Sequence, residues 1–236
     1  MKIGAIVQAR MTSERLPGKV LQKVNGKPML QYLLERLSYS QYLSEIVVAT
    51  SDAPSDNPIT KFCLEKGVSC LRGSLTNVAE RFYRLMKKYK FDAFVRISGD
   101  SPLLDQRLVD LGIKIFKNNN YDIVTNVLKR TYPKGQSVEI VKSDAFLDAY
   151  REMKEIEDLE HVTKYFYRNK DNYLIYSFES GEELGHIQLS VDTQQDMDNF
   201  RQVLSLMNKP HWKYGYKDII KALSKVAENG KSSPNF

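Results

Sequence analysis

Residues 2–21 read KIGAIVQARMTSERLPGKVL, and the fold class turns on how this stretch divides. Residues 3–7 form an apolar run of strand length. The run gives way to a loop that carries Arg10, Arg15 and Lys19 around a glycine, Gly18. Runs of the same kind recur at 46–49, 68–71, 93–97 and 121–125. Between them apolar residues fall at helical spacing: Leu30, Leu33, Leu34 and Leu37, then Val78, Phe82, Leu85, Met86 and Tyr89, then Leu108, Leu111, Ile115 and Phe116. Strand and helix therefore alternate through the first 125 residues. Each strand is nearly all apolar, as it must be when helices cover both of its faces. The pattern predicts an α/β domain with a mainly parallel sheet.

Beyond residue 125 the rhythm changes. Residues 138–141 read as a strand, and Ser143 or Asp144 caps a helix containing Phe146, Leu147, Tyr150 and Met153. The acidic stretch 152–160 reads as solvated and 162–168 as a helix. Strands are expected at 173–178 and 187–191, and a last amphipathic helix carries Met197, Phe200, Leu204 and Met207. No repeat and no long linker appears. The expectation is one domain over 1–225, with an inserted excursion at about 130–185 and a flexible tail at 226–236.

Length and composition narrow the classes. The chain has 236 residues, 42% hydrophobic and 27% charged, which suits an ordinary globular domain and neither a disordered nor a fibrous one. No apolar run approaches the ~18 residues of a membrane span, and no signal peptide is visible, so membrane insertion is not expected. Cys63 and Cys70 lack metal-ligand spacing and read as free thiols of a reducing, cytoplasmic compartment. The net charge of +6 is spread along the chain and interleaved with acids. Nucleic-acid binders concentrate such charge on one face, so no nucleic-acid partner is expected.

A loop leaving the carboxyl end of a strand in an open α/β sheet is where ligands bind. Two planar arginine forks and one lysine point charge suit a phosphate chain. Two familiar phosphate loops are excluded. A P-loop needs glycine at position 13 and a hydroxyl after Gly-Lys, where Ser13 and Val20 stand, and no G-x-G-x-x-G comes after the first strand. A triphosphate usually arrives with Mg²⁺, which takes one or two carboxylates. Asp100, in AFVRISGDSPLLD, ends an apolar strand, and so does Asp192, in IQLSVDTQQD. Asp192 or Thr193 could equally cap the next helix, and Asp105 reads as the cap before Leu108. Two such carboxylates should repel each other when no metal lies between them.

The segments QARMTSERLPGKVL, NGKPML, RISGDSPLLD, TYPKGQSVEIV, LEHVT and SVDTQQD occur in this order. Together they resemble the cytidylyltransferase family that activates acidic sugars as CMP conjugates. The resemblance is to the branch typified by spore coat polysaccharide biosynthesis protein F and covers about residues 1–207. It implies a nucleotidyltransferase-type (Rossmann-like) fold and a homodimer built through the excursion. It also implies CMP transfer from CTP to a sugar acid, with pyrophosphate released, in surface polysaccharide or glycan biosynthesis. On this resemblance Arg10, Arg15 and Lys19 hold the CTP phosphates with Ser13 in support, Asp100 and Asp192 hold Mg²⁺, and Lys19, Arg15 and Asp100 carry the catalysis. Arg130, Tyr132, Gln136 and Glu139 fall where the acceptor sugar lies, and Glu160 and His161 can reach the site or a partner subunit.

Two departures stand out. Thr12 and Glu14 replace the family loop's glycine and threonine, and Thr12 lacks glycine's freedom at positive φ. Ser137 replaces an aspartate on the sugar side, which bears on sugar specificity. The rival readings are a nucleotide-sugar-dependent glycosyltransferase, whose D-x-D pair is missing at Asp100-Ser101-Pro102, and a nucleotide-binding module without turnover.

Overall fold

The computed structural model of the chain describes residues 1–231. Its first strand, β1 (Ile3–Gln8), is followed by a small antiparallel pair, β2 (Lys23–Val24) and β3 (Lys27–Pro28), and helix α1 (Met29–Leu37). Then come β4 (Glu45–Ser51), α2 (Asn57–Glu65), β5 (Ser69–Gly73), α3 (Val78–Tyr89), β6 (Ala93–Ser98), α4 (Gln106–Lys117) and β7 (Ile123–Thr125). The second half adds β8 (Glu139–Lys142), α5 (Ser143–Glu152), α6 (Ile156–His161), α7 (Lys164–Arg168), β9 (Ile175–Ser177), α8 (Gln194–Ser205) and α9 (Tyr216–Lys231).

The larger strands form a seven-stranded sheet in the order β5-β4-β1-β6-β8-β7-β9. Only β8 opposes its neighbours, β6 and β7, and every other pairing is parallel. Alternation along each strand builds two apolar layers. Ile3, Ala5 and Val7 of β1 and Val95 and Ile97 of β6 face one side, with Leu30, Leu33, Val109 and Phe200. Ile6 and Phe94 face the other, with Phe82, Leu85, Phe146 and Phe166. The expected α/β class, the mainly parallel sheet and helices on both faces are all present. From β1 the chain crosses to β4 on one side, and it returns later to β6 on the other. The crevice at the carboxyl ends of β1 and β6 is therefore a topological switch point, where open α/β sheets bind ligands.

Several expectations need correction. The run at 187–191 is not a strand. Its backbone makes one isolated parallel bridge, Lys134 with Gln188, and Val191 N–H donates to Asp100 O at 2.8 Å. The run is apolar because it lies across the end of the sheet, with Leu189 and Val191 buried. Within the segment 130–185, expected as an inserted excursion, β8 and β9 are strands of the main sheet and Phe146, Val162 and Phe166 belong to its core. Ser143 is the first residue of α5 rather than its cap. The 152–160 stretch is largely exposed, as expected, but it leads into α6, whose Asp158 is fully buried against Arg168. Residues 226–231, expected as loose, continue α9, whose Ile219, Ile220, Leu223 and Val226 pack on the core at helical spacing. Of the expected tail, residues 232–236 lie outside the described residues.

Candidate active site

The loop after β1 is shaped by its own backbone. Gly18 sits at φ 72° and donates its N–H to Met11 O at 2.8 Å, closing the loop on itself. A side chain there would be strained. Met11 N–H donates in turn to the buried Asp56 carboxylate at 2.7 Å, which ties the loop's start to the turn before α2. Thr12, the residue in place of a family glycine, is not among the residues at positive φ, so that departure costs the loop nothing in backbone strain.

Lys19 leaves this loop pointing inward and is only 7% exposed. Its Nζ donates to Val191 O at 2.6 Å and to Asp192 Oδ1 at 3.0 Å, and it lies 3.6 Å from Asp100 Oδ2. Arg15 Nη2 reaches the same Asp192 oxygen at 3.0 Å. The two carboxylates expected to repel are thus bridged by cations. Burial works against ionising Asp192, but the hydrogen bond and charge of Lys19, the charge of Arg15 and a hydrogen bond from Gln188 outweigh it. They hold its carboxyl below the usual value.

The crossing of 187–192 over the sheet's end delivers Asp192 to this place. Gly135, at φ 88°, lets the strap approach closely, because a Cβ there would sit 2.4 Å from Ser190 N and 2.6 Å from Leu189 C. Lys134 N–H donates to Ile187 O and Leu189 N–H to Lys134 O, both at 2.9 Å. The helix-cap question is settled by α8. Thr193 is its N-cap, accepting from Asp196 N–H at 3.2 Å, while Asp196 Oδ2 accepts from Thr193 N–H at 2.8 Å and from Asp192 N–H at 3.0 Å. With the cap supplied by Thr193 and Asp196, the Asp192 side chain is left to face the site. Asp105 is the cap of α4, as expected.

Two cavities meet here. One, of about 410 Å³, is lined by Arg10, Ser13, Arg15, Lys19, Val78 and Arg81. The other, of about 490 Å³, is lined by Arg96, Arg130, Lys134, Ser137, Glu139 and Tyr167. Ser98, Asp100 and His161 line both. His161 is brought to the junction by a tight three-residue turn. Val162 has φ 60° and ψ −57°, and Thr163 N–H donates to His161 O at 2.5 Å. A β-branched residue at positive φ is strained, a condition found at sites that the surrounding structure holds in shape. Arg10 lies 3.7 Å from Glu160 on the same segment.

The residues expected on the sugar side divide. Arg130 lines the larger cavity, with Nη1 donating to Ser137 Oγ at 3.2 Å. Glu139 also lines it but is only 3% exposed, and both its oxygens are engaged, one with Arg96 Nη1 and one with Tyr167 Oη, each at 2.5 Å. Burial, and after it the Glu139 carboxylate, pushes the Tyr167 phenol well above its usual value, so it stays protonated. Gln136 and Tyr132 do not belong to this site. Gln136 is fully buried, donating to Leu103 O at 3.0 Å and accepting from Asp105 N–H at 2.8 Å. Tyr132 donates to Glu179 O at 3.2 Å and packs edge-on to Phe178 and Tyr216. Both are structural, because backbone groups of neighbouring loops consume their polar atoms.

Among the lining residues that sequence reasoning missed are Lys134, Arg96 and Arg81. Arg96 lies in β6, where Nε donates to Gln8 Oε1 at 3.1 Å. Arg81 is buried in α3, with Nε donating to Ser74 O at 2.8 Å. The signal available was one arginine inside an otherwise apolar strand and one on an otherwise apolar helix face.

Comparison with known proteins now decides the family. Residues 4–230 match the cytidylyltransferase family. The chain belongs to that family. Among its relatives, an uncharacterised protein of Methanocaldococcus jannaschii is 39% identical over 83% of this chain and 80% of its own. Spore coat polysaccharide biosynthesis protein SpsF of Bacillus subtilis is 31% identical over 83% of each chain. The solved structure of a cytidylyltransferase from Leptospira borgpetersenii superposes with a TM-score of 0.92 at 27% identity, covering 100% of this chain and 99% of that one. This cytidylyltransferase is accordingly an enzyme of the nucleotidyltransferase kind. Among its described residues no helix is long and apolar enough to cross a membrane.

Proposed function

We propose that this cytidylyltransferase transfers CMP from CTP to a hydroxyl of an acidic sugar, releasing pyrophosphate, in the synthesis of a surface polysaccharide or glycan. The observation that carries the reading is the pair of cavities sharing Asp100. The smaller one, with Arg10, Ser13, Arg15, Lys19 and Arg81, takes the nucleotide, and the larger, with Arg96, Arg130 and Lys134, takes the acceptor. Cations outnumber carboxylates in the larger cavity, which suits an anionic acceptor, and in the smaller one four cations face four carboxylates, a balance that suits a polyphosphate accompanied by a divalent cation. Kinship with a protein of spore coat polysaccharide biosynthesis supports the pathway class.

In the reaction the acceptor hydroxyl oxygen forms a bond to the α-phosphorus as the bond from that phosphorus to the oxygen bridging to the β-phosphate breaks. The hydroxyl proton is released and pyrophosphate leaves. Negative charge grows on the phosphoryl oxygens, so positioning and electrostatic neutralisation do most of the work. Arg10, Arg15 and Lys19 supply positive charge on the nucleotide side, and Ser13 and the loop's N–H groups orient the chain of phosphates. Arg96, held by Glu139 and Gln8, and the exposed Arg130 and Lys134 orient the acceptor.

Asp100 and Asp192 fit a hard divalent cation such as Mg²⁺. Both are carboxylates at a partly open site, 26% and 22% exposed. Among the described residues no cluster of three or more His, Cys, Asp or Glu side chains could hold a metal alone. Mg²⁺ takes one or two carboxylates and completes its shell with phosphate and water. When bound, Mg²⁺ neutralises developing charge on the phosphate oxygens.

The test is pyrophosphate release on mixing the enzyme with CTP, Mg²⁺ and a panel of sugar acids, each repeated with ATP, GTP and UTP. Release that needs both CTP and one of the sugar acids supports the reading. Hydrolysis-like release that ignores the acceptor, or none with any acceptor, overturns it.

A further inference from the structure

Each carboxylate of the proposed metal pair has one oxygen committed to the protein and one facing the phosphate loop. Asp100 Oδ1 accepts from Ser101 Oγ at 3.1 Å. Asp192 Oδ2 accepts from Gln188 Nε2 at 3.2 Å and from Ser190 Oγ at 3.4 Å. The remaining oxygens, Asp100 Oδ2 and Asp192 Oδ1, are the two that Lys19 Nζ approaches, at 3.6 and 3.0 Å, and Arg15 shares the second. A divalent cation bound to this pair would need those same oxygens. An ammonium already between them repels it across a short distance in a partly buried site. Lys19 and a metal ion therefore cannot both hold the pair as it stands.

The loop cations have another partner available. Lys19 and Arg15 line the cavity assigned to the nucleotide, and Arg15 is 65% exposed. We infer that Lys19 keeps the place of the metal between Asp100 and Asp192 in the free enzyme, and that the ion enters only when a triphosphate draws Lys19 and Arg15 away from the carboxylates. The exchange is reciprocal: the carboxylates trade lysine for metal as the cations trade carboxylate for phosphate. It explains how two aspartates coexist before any ion binds, and it makes metal binding dependent on the nucleotide rather than preparatory to it. The inference rests on the assignment of Asp100 and Asp192 as metal ligands and goes beyond it to Lys19 as a positioning residue that sets the order of binding.

The experiment uses Mn²⁺ alone, with neither nucleotide nor sugar, and reads free ion by electron paramagnetic resonance. Wild type should bind weakly, in the millimolar range. Lys19→Met should bind at least about tenfold tighter, and so should Lys19→Gln, which keeps a donor for Val191 O while losing the charge. Using two variants guards against one that fails to fold, which circular dichroism reports. Adding Asp192→Asn to either should abolish the gain. The inference is overturned if both folded variants bind Mn²⁺ no tighter than wild type, or if the gain survives loss of Asp192. Because no substrate is present, failure of CMP transfer in the acceptor panel leaves this result untouched. Equal Mn²⁺ affinities would remove the exchange while leaving transfer standing.

Discussion

Replacing Asp192 by Asn keeps the side chain's shape and removes its charge, and its consequence for stability can be worked out from the contacts. Two carboxylates facing each other alone would gain from the change. Here, however, Asp192 accepts from Lys19 at 3.0 Å and pairs with the Arg15 guanidinium at 3.0 Å, and Lys19 is buried. Hydrogen bonds to charged groups contribute about 1.5–3 kcal/mol, roughly twice a neutral one. Asn can still accept one bond from Lys19, so the net loss is about 1–2 kcal/mol. The exposed Arg15 contact adds little. In a chain of this size that lowers the melting temperature by about 2–8 °C. Asp100→Asn loses only the longer 3.6 Å contact with Lys19 and should cost less than about 1 kcal/mol. Urea denaturation of the ligand-free variants beside wild type measures both. An Asp192→Asn protein as stable as wild type, or more so, would refute the bridging role given to Lys19.

Arg15→Ala should weaken CTP binding about 10- to 150-fold, the loss of one charged hydrogen bond, and unchanged affinity by calorimetry would remove Arg15 from the nucleotide cavity. Gly135→Ala should cost about 1–3 kcal/mol in stability and lower turnover as well, because a Cβ would strike the backbone of Leu189 and Ser190 and unseat the strap that carries Asp192. A variant with normal turnover and melting temperature would contradict that. Burial holds the His211 imidazole below its usual 6.5, and the charge of Arg36 adds to it against the opposing pull of Glu35. The folded state thus binds fewer protons than the unfolded one. The stability this contributes is present above about pH 6.5 and is lost as pH falls through the lower folded value. The difference in urea midpoint between wild type and His211→Gln should shrink over that interval, and a constant difference would contradict the assignment.

Much of the fold was legible because helix and strand differ in apolar period, and the runs ending at Ala49 and Ile97 lie in strands of the sheet while the run 121–125 ends in one. The run at 187–191 misled for a physical reason. An apolar segment laid across the end of a sheet is buried as thoroughly as one inside it, and periodicity cannot tell the two apart. The last helix is hard to see in the sequence because Lys217, Asp218, Lys221 and Lys225 are interleaved with its apolar positions. In the site, Arg10, Arg15, Lys19 and Asp100 could be picked out from the loop after β1 and the end of β6, whereas Asp192 was picked as the end of a strand that is not there, although the structure does bring it beside the others. The contacts among them were not legible, since Lys19 meets a carboxylate 173 residues away. Gln136 and Tyr132 sit among genuine lining residues, and no sequence signal separates a polar group that holds neighbouring backbone from one that faces a ligand. Arg96 was hidden by the expectation that a central strand is apolar throughout.

The central claim is that the two cavities sharing Asp100 hold CTP and a sugar acid for direct transfer. Phosphorus NMR of the enzyme with CTP, Mg²⁺ and the active acid from the acceptor panel tracks every phosphorus atom at once. The account predicts a single new phosphodiester resonance growing in step with pyrophosphate, and neither signal when Asp100→Asn replaces the wild type. Formation of CDP and inorganic phosphate, or CTP that persists unchanged beside every acid of the panel, would contradict it.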